Sequence, residues 1–150
     1  MKMNKKNGQR GAALIEFTLV LPLLLLMLFG IIEFSVLLYD KAVITNASRE
    51  AAREWIEHVP DRSVNTPARL NGVVQSYAQN RLISFGSDSV LPQVTFKVDG
   101  SPTTATTVYN SASMLAVGVS YTYDFLVLPN FIGGFGEDLT LSAETVMRAE

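Results

Sequence analysis

An uninterrupted apolar run near the N-terminus constrains this chain more than any other feature. Sixteen consecutive residues, Phe17–Ile32, carry no charge, and from Ala12 to Tyr39 only Glu16 and Glu33 do. As a helix, the stretch from Ala12 to Glu33 would extend roughly 33 Å, close to the hydrocarbon thickness of a bilayer, about 30 Å. The sequence therefore predicts a chain that crosses a membrane once.

The charges that flank this run predict its orientation. Four basic side chains and no acidic ones precede Gly11, whereas the chain beyond it has 8 basic and 14 acidic residues, a formal charge of −6. Because basic flanks stay in the cytoplasm, we expect residues 1–11 to be cytoplasmic and residues 35–150 to be exported. Without cysteine, the exported part must fold without disulfides. Its acidity argues against a nucleic-acid partner, which needs basic side chains to neutralise phosphates.

An ordinary secretory signal peptide does not fit the N-terminus. The apolar run exceeds the 7–15 residues of such peptides, and no small-x-small cleavage site follows it.

A carboxylate near the bilayer centre costs at least about 2.5–3.5 kcal/mol. Glu16 therefore needs either a partner or a position at headgroup depth, where it would lie one and a half turns from Arg10.

Gly11 and Glu16 stand in a recognisable register. A chain cut after Gly11 would begin Ala12-Ala13-Leu14-Ile15-Glu16-Phe17, with a glutamate fifth and an aromatic residue sixth. This arrangement resembles the prepilins, which are cleaved after a glycine at the cytoplasmic face. Cleavage after Gly8 would put an alanine fifth, so only Gly11 fits the register.

Within the prepilins, the N-terminal third is similar to the TadE-like minor pseudopilins of the tight-adherence (Flp) pilus. The similarity also rests on the step Leu21-Pro22 before a leucine run and on the segment Phe29–Phe34. It implies that a prepilin peptidase removes the basic leader, residues 1–11, between Gly11 and Ala12. It also implies a protein of the bacterial inner membrane, with its C-terminal domain in the periplasm and possible incorporation into the pilus.

The resemblance implies a structural role for the residues around the cleavage point. Cleavage creates an α-amino group, with a pKa near 8, which can compensate Glu16 of a neighbouring subunit in an apolar bundle. Phe17 would support helix packing. The implied partners are other pilin and pseudopilin subunits, the inner-membrane assembly platform and membrane lipid.

Two other residues of the span have simpler interpretations. Pro22 lacks an N–H and should kink the helix. Glu33 should lie in the outer headgroup zone, and we assign no chemistry to it.

Beyond the span the sequence predicts one small α+β domain. The long helix should run from Ala13 to Glu57 and end near His58-Val59-Pro60, with an apolar stripe from Ile44 to Trp55 as the spine of the domain. Thr66-Pro67 predicts the start of a second helix that continues to Ile83 and closes at Ser84–Ser87.

Three antiparallel strands should complete the domain and pack on the C-terminal half of the long helix. The period-two segments are Val94–Val98, before a turn at Asp99-Gly100, then Leu115–Leu128, and Leu139–Met147. We interpret the stretch Ser101–Ser113 as a connector, with Val108-Tyr109 as a candidate edge strand within it. We therefore expect residues 12–34 to form the transmembrane half of the helix and residues 35–150 to form the external domain.

No residue set predicts catalysis, a cofactor or a metal. His58 is the only histidine and falls at a helix end, the glycine-rich Ile132–Gly136 precedes a strand rather than a helix, and Glu137-Asp138 is weak as a calcium site. Asn46-Ala47-Ser48 fits a glycosylation triplet by chance. The sequence thus favours a non-enzymatic minor pilin-like subunit. Two alternatives stay open: an uncleaved, membrane-anchored periplasmic interaction domain, and a pseudopilin of a type II secretion system.

Overall fold

The structure is a computed structural model, and it describes residues 6–57, 66–83, 91–103, 112–125 and 139–149 of the 150 residues of the protein. Two helices come first, α1 over Lys6–Glu57 and α2 over Thr66–Ala78. The strands follow: β1 (Gln93–Val98), β2 (Ser101–Pro102), β3 (Met114–Tyr123) and β4 (Leu139–Arg148). The α+β class is confirmed.

The sheet has four strands rather than the three that the sequence predicts. Its order is β2-β1-β3-β4, and all neighbours are antiparallel. The additional strand, β2, is two residues long and pairs with the end of β1. Ser101 and Pro102 have low strand propensity, and a proline is accepted only where its missing N–H faces away from the ladder, so composition gave no signal for this edge strand.

A tight turn at Asp99-Gly100, as predicted, brings β2 back onto β1. Both residues have positive φ, 49° and 79°, as a type I′ hairpin turn requires. The Asp99 carboxylate also accepts a hydrogen bond from the backbone N–H of Met114, at 2.8 Å. The same side chain therefore fixes the hairpin to the start of β3.

The other predicted boundaries differ by a few residues. Helix α1 begins at Lys6 rather than Ala13, and α2 ends at Ala78 rather than Ile83. Asp124 and Phe125 follow β3 without strand geometry. Four predicted features lie outside the described residues: the helix end at 58–60, the closure at 84–87, the edge strand at 108–109 and the last part of the strand predicted over Leu115–Leu128, residues 126–128.

The core lies between one face of the sheet and the second half of α1. The predicted alternation in β3 is confirmed, because Leu115, Val117, Val119, Tyr121 and Tyr123 are all at most 2% exposed. They face a buried stripe on α1 that includes Ile44, Ala47, Ala51 and Trp55, while Leu70 and Val74 of α2 close the side. The alanines allow the sheet to approach the helix backbone closely.

The first half of α1 has no such cover. Nearly every residue from Gly11 to Ile32 is exposed, and Glu33 is the first buried one. By length and composition α1 is able to cross a membrane, and its most apolar 18-residue window is 0% buried. The helix therefore has a bare apolar half and a half that carries the domain.

Candidate functional site

Gly11 and Ala12, the predicted processing site, lie within the uncovered half of α1. Both are exposed, and the helix is continuous on either side of them. A Cβ added at Gly11 would meet no heavy atom within 4 Å. Packing within the described structure therefore does not require a glycine at this position.

Glu16 and Phe17, the predicted assembly residues, lie on the same exposed surface. Ala12 and Glu16 are four residues apart and hence on one face of the helix. Phe17 is 60% exposed, and Glu16 makes no hydrogen bond or ion pair with any side chain that the structure describes. The arrangement leaves this acid available to a group outside the monomer. We call Gly11–Phe17 the N-terminal segment.

Pro22 lies inside α1 with its ring exposed. Since proline has no N–H, the Thr18 carbonyl loses its usual helical donor. The Thr18 hydroxyl donates to the Leu14 carbonyl, at 2.7 Å, and so does not replace that donor. Helical geometry continues through the proline, and the kink stays a prediction.

Glu33, an acid that the sequence predicts in the outer headgroup zone with no assigned chemistry, is buried by the protein itself. It is 3% exposed, beneath the sheet, and its Oε1 accepts a hydrogen bond from the Tyr123 hydroxyl at 2.8 Å. Burial raises the pKa of Tyr123, and the hydrogen bond to Glu33 raises it further. The phenol therefore stays protonated at neutral pH and acts as the donor. This contact ties the end of β3 to α1.

Asp40, two turns further along α1, is also buried, with 0% exposure. Its Oδ1 accepts the backbone N–H of Ile83 at 3.0 Å, in the segment that follows α2. Its Oδ2 is buried without a hydrogen-bond partner among the described residues. One oxygen thus fixes the chain after α2 to the helix, and the other is a desolvated acceptor.

Two further side chains connect α1 to the sheet. The Lys41 ammonium donates to the Ser142 carbonyl of β4. The Ser48 hydroxyl lies 3.0 Å from the Val117 carbonyl and 2.7 Å from Oγ1 of Thr145. We call the four helix residues Glu33, Asp40, Lys41 and Ser48 the helix–domain seam.

Sequence reasoning missed the seam, although a signal was present. The buried positions Glu33, Asp40, Ile44, Ala47, Ala51 and Trp55 recur at spacings of three, four and seven residues, which place them on one face of a helix. The stripe was predicted only from Ile44 because the positions before it are acids rather than apolar residues. An acid that falls in register with an apolar stripe is a candidate for a buried, hydrogen-bonded group.

The N-terminal segment and the seam are separate sites. Glu16 precedes Glu33 by 17 residues, roughly 26 Å along a helix. Three other candidates, His58, Ile132–Gly136 and Glu137-Asp138, lie outside the described residues. Among the described residues, no group of three or more His, Cys, Asp or Glu side chains is placed to hold a metal ion.

Comparison with known proteins places one part of the chain. The family described as TadE-like protein matches residues 11–53, which begin at Gly11 and include both the N-terminal segment and the seam. A search of curated proteins and a search of solved structures found no match. The sheet and α2 thus lie beyond the matched segment, and residues 11–53 are similar to the TadE-like family.

Proposed function

We propose that this chain is a minor pilin-like subunit needed to assemble or prime a tight-adherence pilus. In this role it is structural rather than enzymatic. A prepilin peptidase cleaves it after Gly11, and the helix holds it in the inner membrane, with the domain in the periplasm, until other pilus subunits and the assembly platform take it up. The observation that carries the proposal is the register of Gly11, Glu16 and Phe17 within the TadE-like match.

The exposure of the N-terminal segment supports this role. Within the described structure, Gly11 meets no packing demand and Glu16 has no partner. An acid on the bare apolar half of a helix is costly unless another group compensates it. The α-amino group of a processed neighbouring subunit supplies that charge, and the pair then stabilises one alignment of adjacent helices.

The folded domain supports a subunit present in few copies. The seam and the core cover one face of the second half of α1, including Ile44, Ala51 and Trp55, so this face is unavailable to other helices. The first half is exposed nearly all round and is the part best suited to pack in a filament. A subunit with a bulky domain on half of its helix fits the start or the tip of a filament better than a repeating shaft.

Replacement of Glu16 tests this function in the host that assembles the pilus. We expect Glu16→Ala and Glu16→Gln to insert into the membrane at the normal level but to abolish pilus assembly, because both remove the compensating charge. Glu57→Ala is the matched control, since Glu57 is an exposed acid at the other end of the same helix. Piliated cells are counted by electron microscopy, and membrane levels are measured by immunoblot.

The opposite result favours the anchored interaction domain. In that case Glu16→Ala would assemble pili like the parent chain, since an anchor gains stability when an acid leaves its span. The Glu16→Gln variant separates charge from size: assembly with Gln but not with Ala would assign the role to shape and hydrogen bonding, and would contradict the charge-pairing mechanism.

A further inference from the structure

The contacts of the seam define how the domain is aligned along α1. Glu33 contacts Tyr123 at the end of β3, and Tyr123 is paired with Leu139, the first residue of β4. Higher on the helix, Lys41 contacts Ser142, and Ser48 contacts Thr145. Strand β4 therefore runs alongside α1 in the same direction and begins level with Glu33.

Helix α2 shows the same alignment from the other side. Arg69, near its start, pairs with Glu54, and Ile83, after its end, binds Asp40. The step from Glu54 back to Asp40 covers fourteen residues of α1, roughly 21 Å of helix, while the chain from Arg69 runs forward to Ile83, so α2 descends antiparallel to α1. The domain thus has a lower end, level with the part of α1 from Glu33 to Asp40.

Exposed apolar side chains collect at this lower end. Leu38 is 52% exposed, Ile83 38%, Leu91 46% and Leu139 38%. Leu91 belongs here because it precedes β1, whose first residue pairs with Ser120 near the end of β3. We call these four residues, with the half-buried Phe125 that packs edge-on against Tyr123, the lower rim.

We propose that the lower rim contacts the lipid of the outer leaflet, at the boundary between acyl chains and headgroups. The span before Glu33 is about as long as the hydrocarbon core is thick, so Glu33 lies at the hydrocarbon edge. The hydrogen bond to Tyr123 holds the rim at that depth, directly continuous with exposed Phe34 on α1. The domain is then seated on the bilayer rather than suspended above it.

The position of the rim favours lipid over a protein partner. Its members come from α1, the segment after α2, the segment before β1, the segment after β3 and the start of β4, and they share only their level along the helix. A surface defined by depth fits a planar bilayer interface. The proposal rests on membrane anchoring and not on the pilus role.

Nitroxide labels test the contact directly, because the chain has no cysteine to remove. Leu139→Cys and Leu91→Cys report on the rim of the full chain in lipid vesicles. Val146→Cys is the matched control, since Val146 is 55% exposed on the same strand as Leu139 and seven residues higher. Leu24→Cys, in the exposed span, verifies that the chain is anchored. Collision with oxygen and with a water-soluble nickel chelate measures membrane depth for each label.

We expect the labels at positions 139 and 91 to collide more often with oxygen than with the nickel chelate, as the label at position 24 does. We expect the label at position 146 to collide more often with the nickel chelate than with oxygen. Two results would overturn the proposal while the label at 24 still reports lipid. If positions 139 and 91 collide with nickel as often as position 146, the rim stands in water. If both reagents are excluded there, protein covers the rim. Neither result bears on pilus assembly.

Discussion

The hydrogen bond between Tyr123 and Glu33 is the most specific contact of the seam. Both side chains are buried, so its loss leaves a buried carboxylate with one donor fewer. We expect Tyr123→Phe to lower the free energy of unfolding by about 1–3 kcal/mol. Unfolding of the full chain in detergent can be followed by fluorescence of Trp55, the only tryptophan, which packs edge-on against Phe96.

Tyr39→Phe is the control for this substitution. Tyr39 is 46% exposed on α1, the helix that carries Glu33. We therefore expect removal of its hydroxyl to change the free energy of unfolding very little. Equal unfolding midpoints for the parent chain and Tyr123→Phe would contradict a stabilising hydrogen bond between Tyr123 and Glu33 of the seam.

Asp40 makes a different prediction, because one of its oxygens has a partner and the other has none among the described residues. Asp40→Asn keeps an acceptor for the Ile83 N–H and removes a buried charge. We therefore expect it to raise the free energy of unfolding by about 1 kcal/mol at neutral pH. Asp40→Ala removes the acceptor as well and should be less stable than the Asn variant. A loss of stability in Asp40→Asn would show that the charge itself has a favourable partner.

At the scale of elements, the small residues of α1 determine how closely the sheet approaches it. Ala47 is 0% exposed in the middle of this contact, whereas Ala42, five residues earlier, points to solvent. We expect Ala47→Leu to overpack the interface and cost about 1–3 kcal/mol, and Ala42→Leu to cost much less. Denaturant unfolding of the two variants, monitored at Trp55, measures the difference. Equal costs would contradict the close packing of α1 and the sheet.

Much of this architecture follows from patterns that the sequence displays. The turn at Asp99-Gly100 and the inward alternation of β3 each express a strong local preference, and each is confirmed. Strand β2 could not be predicted, because the turn rather than the propensity of Ser101-Pro102 brings it into the sheet. The burial of Glu33 could not be predicted either, because the three- and four-residue spacing of a buried helix face is recognised from apolar residues and not from acids.

The sequence predicts which positions form the candidate site, but not the exposure or the partners of their side chains. The resemblance of this register to the prepilins predicts Gly11, Glu16 and Phe17, and the TadE-like match begins at the same glycine. Their exposure, and the absence of a partner for Glu16 among the described side chains, depend on where the domain sits on α1. That position follows from long-range pairs such as Tyr123–Glu33, which no local pattern encodes.

At the scale of the whole molecule, one helix serves two purposes. Its first half is bare, apolar and carries the N-terminal segment, while its second half is the spine of a folded domain. The boundary at Glu33 separates surfaces that different partners would use. Changes in the seam should therefore alter stability without altering processing, and changes at Gly11 should do the opposite.

The intact mass of the membrane-extracted protein tests the central claim most directly. The chain is expressed with and without the prepilin peptidase of a tight-adherence system, beside Gly11→Leu, a variant whose added Cβ meets no heavy atom within 4 Å. We predict that the parent chain loses the mass of residues 1–11 only when the peptidase is present, and that the variant stays intact while its Trp55 fluorescence remains native. A parent chain of full mass under both conditions would contradict the claim that this is a processed pilin-like subunit.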